Sequence, residues 1–101
     1  MTTTAPVTTE TILARYADDI AFVAEEQPAT TLTAFAEQLV SATERLGEVG
    51  INGAEELEVA ARYLADADSA TTDNERNVLL NRAAKNLTDV DDMVSEFRDM
   101  V

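Results

Sequence analysis

The side chains that could do chemistry in this chain are carboxylates, three serines and a single lysine. Its 101 residues hold 20 acids, six arginines and Lys85, with no histidine and no cysteine. The absence of both residue types removes Ser-His-Asp and Cys-His nucleophilic arrangements. It also removes disulfides, zinc knuckles and thiol redox chemistry. Ser41, Ser69 and Ser95 have no histidine to activate them. A Ser–Lys pair would need Lys85 desolvated, yet Lys85 falls on an outward position of its helix. Di-iron bundles use Glu-x-x-His pairs, and none exists here. The expectation is a non-enzymatic chain with no catalytic residues, no cofactor and no metal.

One segment resembles a calcium loop in its carboxylate spacing, and it joins two predicted helices. It runs Asp66-Ala67-Asp68-Ser69-Ala70-Thr71-Thr72-Asp73-Asn74-Glu75. A twelve-residue EF-hand loop needs ligands at positions 1, 3, 5 and 12 and Gly at 6. Counted from Asp66, those last three places hold Ala70, Asn77 and Thr71. The segment reads instead as a helix end followed by a capped helix start. Asn86-Leu87-Thr88 matches a glycosylation sequon, but it lies inside a predicted helix.

Charge bears on partners. The net charge is −13, divided as 8 acids against 2 bases in residues 1–53 and 12 against 5 in residues 54–101. A phosphate backbone is bound through clustered Lys and Arg, so direct nucleic-acid binding is not expected. An anionic membrane surface is excluded on the same ground. No stretch approaches the ~20 apolar residues of a membrane span. The first residues, Met1 to Val7, carry neither a basic nor an apolar leader segment, so the expected location is cytoplasmic, or an assembly built from the cytoplasm. A surface rich in Asp and Glu and poor in Lys also suits a high-salt environment, where screening weakens self-repulsion.

The elements that must carry these residues are helices. Hydrophobic residues make up 46% and aromatics 5%, with 17 alanines. That composition predicts an aliphatic core with closely approaching helices. Residues 1–8 read as a Thr-rich arm and 9–101 as one helical domain. A first helix is expected over 9–27, capped by Thr8 or Thr9. Ile12, Leu13, Tyr16, Ala17, Ile20, Val23 and Ala24 share one face, and Pro28 stops it. A second is expected over 31–48 after Thr30, with Leu32, Phe35, Leu39, Ala42, Leu46 and Val49 stepping by three and four. Asn52 is the expected cap of a third over 54–68, with Glu55 completing a capping box. Thr72 and Glu75 form a second box, which opens a fourth helix running to the chain end. Along it Leu80, Ala83, Leu87, Val90, Val94, Phe97 and Val101 keep the 3–4 repeat without Gly or Pro. The fold class is thus all-α, a compact antiparallel array of about four helices with a long C-terminal helix.

That last helix points to function. It would span roughly 42 Å against roughly 27 Å for the second, at 1.5 Å per residue. If its end projects, Met93, Val94, Phe97, Met100 and Val101 form an exposed apolar patch, the mark of an interface. Asp89, Asp92, Glu96 and Asp99 form an acidic outer face, preceded by Arg82 and Lys85. The expected function is structural or adaptor-like: a helical module acting through protein–protein contacts, self-associating or serving as a subunit of an assembly. The alternative is an acidic mimic of nucleic acid that occupies the basic groove of a DNA- or RNA-binding protein.

Overall fold

In a computed structural model of the chain, residues 7–100 are described. They form five helices: α1 (Thr9–Ala24), α2 (Leu32–Glu48), α3 (Ala54–Asp68), α4 (Asp73–Asn86) and α5 (Val90–Met100). Among the described residues there is no strand. The expected Thr-rich arm falls mostly on residues 1–6, outside the described residues; Val7 packs on the core and Thr8 caps α1.

Local chemistry explains each helix start. Thr8 accepts from the Thr11 N–H, and the Thr11 hydroxyl oxygen accepts from the Thr8 N–H at 2.8 Å. This is a reciprocal capping box with Thr in the place of Glu. Thr31, not Thr30, caps α2 by accepting from the Ala34 N–H. Thr72 caps α4 by accepting from the Glu75 N–H, as the Thr72–Glu75 spacing predicts. The start of α3 differs from expectation. Its cap is Gly53 at φ 90, with no side-chain bond, so Asn52 does not form the predicted box. The reason is register: the helix begins at Ala54, so Gly53 holds the cap position and Asn52 stands one residue before it; a Cβ on Gly53 would stand 3.0 Å from Met93 Cε. That turn is pressed against α5, in a left-handed conformation that suits glycine.

Helix ends follow from backbone handedness. α1 stops at Ala24, short of the expected 27, because Glu25 adopts φ 59. The Glu26 N–H then donates to the Ala21 carbonyl, closing a Schellman-type end. A non-glycine residue there carries strain, and a 3.1 Å ion pair with Arg45 of α2 holds Glu25 in place. Gly50 at φ 78 ends the second helix segment, and the Ile51 N–H returns to the Leu46 carbonyl.

The expected long C-terminal helix is two helices. The chain turns over residues 87–89. There the Leu87 N–H is shared between the Ala83 and Ala84 carbonyls, and the Thr88 hydroxyl donates to the Lys85 carbonyl at 3.0 Å. Ser/Thr bonds of this kind compete with helix continuation. The energetic reason is burial. A straight helix would leave Met93, Val94 and Phe97 uncovered; the turn lets α5 fold onto α1. Burying such side chains stabilises by roughly 1.5–3 kcal/mol each. The few helical hydrogen bonds lost contribute only about 0.5–1.5 kcal/mol each.

The core runs through all five helices. α3 packs on both α2 and α4, and α1 packs on α2 and α5. Phe35, Leu39, Ala42, Ala60, Leu64, Ala67, Ala83 and Leu87 are fully enclosed. The alanines explain how α3 sits between two neighbours, since short side chains permit close approach. The radius of gyration, 13.3 Å, is that of a compact chain of about 100 residues.

Candidate interaction surfaces

The predicted apolar patch is dispersed by the fold. Met93, Val94 and Phe97 are buried in the monomer, so they do not form an exposed interface. Phe97 meets Phe22 of α1 edge to face, with ring centroids 6.0 Å apart. Met100 is half exposed, and Val101 lies outside the described residues. The projecting end that motivated this patch does not exist, because the turn at residues 87–89 removes it.

The predicted acidic face fares differently. Asp89, Asp92, Glu96 and Asp99 are all exposed. Asp89 sits in the turn, and the other three lie on α5. Arg82 and Lys85 belong to α4, so the two signs of charge do not run along one continuous helix. Arg82 stands over the Tyr63 ring at 6.0 Å. Arg98 stands over Phe22 at 4.8 Å, which covers the outer side of the α1–α5 seam.

Between α1 and α5 two carboxyls face each other. Burial, a hydrogen bond with Asp91 and the Asp91 charge raise the Asp19 carboxyl above its ordinary value; Arg98 pulls in the opposite direction. A raised folded-state value means that the folded protein holds this proton more tightly than the unfolded chain. The contribution is therefore favourable in acid and is lost as pH rises through the carboxylate range. Asp19→Asn, which imitates the protonated acid, should raise stability at pH 7 by less than about 1 kcal/mol, given the half-exposed setting. Urea midpoints of the variant and parent should converge below about pH 4, near the unfolded carboxylate value. Parallel midpoints from pH 3 to 8 would contradict this.

The segment with calcium-like spacing holds a guanidinium. Arg76 donates to the carbonyls of Ala67 and Ala70 and pairs with Asp73 at 3.3 Å. These bonds lace the end of α3 to the start of α4. Among the described residues no group of three or more acids converges as a metal cage would require. No helix there is long and apolar enough to cross a membrane.

Two of the surface concavities bear on binding. The first is a shallow apolar furrow of about 280 Å³ between α2 and α3. Ala36, Ala61 and Ala65 line it together with Val40, which is 43% exposed. Glu37, Glu58 and Arg62 stand around it. Its origin is local: alanines on facing helix positions leave a trough where longer side chains would fill the seam. The periodicity of the sequence leaves Val40 and the pairing of α2 with α3 unread. The second is a polar cleft of about 300 Å³ between α1, α4 and the start of α5, lined by Arg15, Tyr16, Asn81, Lys85, Thr88 and Asp91. No signal along the sequence joins Arg15 to Lys85, which are 70 positions apart. Comparison of the chain with family models, curated proteins and solved structures finds no match.

Proposed function

We propose that this chain is a non-enzymatic structural or adaptor module that works through protein–protein contacts, as a homo-oligomer or as a subunit of a larger assembly. The observation that carries the reading is the α2–α3 furrow. It is an apolar trough with charged residues at its edge, which is the anatomy of a small interface core with a polar rim. An exposed Val40 beside three alanines offers a seat for a side chain of another protein. It offers no convergent polar groups for a reaction. The chain also lacks the histidine and cysteine on which most nucleophilic and acid–base sites depend.

The mimicry reading requires acids in a track along one side. Exposed carboxylates occur on all five helices, including Glu10, Glu37, Glu58, Glu75 and Glu96. That pattern does not favour it over an acidic surface in general.

The test is a photo-crosslinking residue at position 40 in the native host, alongside sedimentation of the purified chain over a range of concentrations. A discrete adduct, or a concentration-dependent oligomer, is expected. Ala61→Arg fills the furrow at its floor, and Val40→Glu charges its wall. Ala61→Arg should reduce the adduct from position 40 at least tenfold, and either variant should weaken any oligomer at least tenfold. A monomer that yields no adduct at position 40 would overturn the reading.

A further inference from the structure

We propose that the cleft between α1, α4 and the start of α5 binds a small α-amino acid, with Arg15 and Lys85 holding its carboxylate. The first observation is a local reversal of charge. The chain has 20 acids and only seven bases, yet two of those bases line one concavity. Arg45, Arg62 and Arg76 each have a carboxylate partner. Arg82 and Arg98 stand over the rings of Tyr63 and Phe22. Arg15 stands over Tyr16 at 5.8 Å, which orients the guanidinium and leaves its N–H groups uncommitted. Among the described residues neither Arg15 nor Lys85 forms an ion pair. Asp91, the acid in the same cleft, forms no ion pair with either of them.

The second observation is the complement of acceptors on the same walls. The Asn81 amide N–H donates to the Asn77 carbonyl, and the Thr88 hydroxyl donates to the Lys85 carbonyl. One Asn81 N–H and the Thr88 hydroxyl hydrogen are thus occupied, and the oxygens of both side chains, which line the cleft, can accept. Together with Asp91 they suit an ammonium group. A ligand with a carboxylate for Arg15 and Lys85 and an ammonium for this acceptor set is a zwitterion.

Size and field narrow the class. About 300 Å³ is at the small end of ligand sites. Beside it a recess of about 50 Å³, lined by Val7, Ile12 and Ala84 among others, has room for a short apolar side chain. The net charge of −13 repels a phosphate dianion more strongly than a carboxylate. A zwitterion carries no net charge and meets no such barrier. The buried Tyr16 gives the cleft a rigid wall.

The experiment is a titration of the isotopically labelled full chain with L-alanine, acetate and inorganic phosphate, at constant ionic strength, followed by two-dimensional amide spectra. The expected result is saturable shifts confined to residues around 15, 81–88 and 91, with L-alanine binding in the millimolar range and more tightly than acetate or phosphate. Arg15→Gln and Lys85→Gln should each weaken it at least tenfold; both positions are exposed, and circular dichroism checks that the fold is kept. Linear, unsaturable shifts would overturn the proposal. So would equal affinity in the two variants, or tighter binding of phosphate than of L-alanine.

Discussion

Replacing Phe97 by alanine is expected to cost about 3–5 kcal/mol, the usual loss for a buried phenylalanine. A chain of this length has only about 5–15 kcal/mol of net stability, so the variant should be close to unfolding at room temperature. Phe97 is 4% exposed and sits edge to face on Phe22. It is the last large apolar anchor of α5, whose principal neighbour is α1. Phe97→Glu should do more damage, since it also places a charge at a buried position. Phe97→Leu should cost distinctly less, because much of the apolar volume stays. Urea denaturation followed by circular dichroism measures all three. A loss below about 1 kcal/mol for Phe97→Ala would mean that α5 does not depend on α1, and would restore a projecting C-terminal end.

The second large effect concerns the middle of the stack. Ala60→Leu should destabilise by about 1–3 kcal/mol through overpacking. Ala60 is fully enclosed on α3, the helix that contacts both α2 and α4. The added branched side chain has no void to enter, so one neighbouring helix must move outward. Helix propensity does not offset this, since Ala is already the better helix former. The expected fall in melting temperature is about 4–8 °C per kcal/mol for a domain of this size. Ala65→Leu makes the same chemical change at an exposed position of the same helix. It should leave the melting temperature almost unchanged while partly filling the furrow. If Ala60→Leu were neutral, the close approach of α3 to its neighbours would not be what the alanines provide.

The furrow depends on the same small residues that set the α2–α3 distance, so its shape follows directly from packing. The cleft between α1, α4 and α5 depends on the turn at residues 87–89, which brings Thr88 and Asp91 to the same concavity as Arg15. Both surfaces are therefore products of assembly and not of any one segment. The acidic stripe on α5 was readable in advance as exposed, yet acids stand on the other helices too, so it singles out no partner.

Much was legible in the order of residues alone. The 3–4 spacing correctly marks Leu32, Phe35, Leu39, Ala42 and Leu46 as one buried face, and likewise Leu57, Ala60, Ala61, Leu64 and Ala67. The caps at Thr8 and Thr72 follow from side-chain chemistry within three residues. The lack of histidine and cysteine is a fact of composition. The helix break was not legible, because Leu80, Ala83, Leu87, Val90, Val94 and Phe97 keep their repeat across it and are all buried. Periodicity reports which side chains are hidden, not whether the backbone between them is straight. With no Gly or Pro to mark the turn, only the gain from docking α5 on α1 decides it. At the start of α3 the sequence offers Asn52 as a cap, but the helix begins one residue later, with Gly53 at the cap. Composition and local spacing thus determined an acidic helical chain and its core. Contacts between residues tens of positions apart decided where the chain turns, which apolar residues are hidden, and which of its few bases meet.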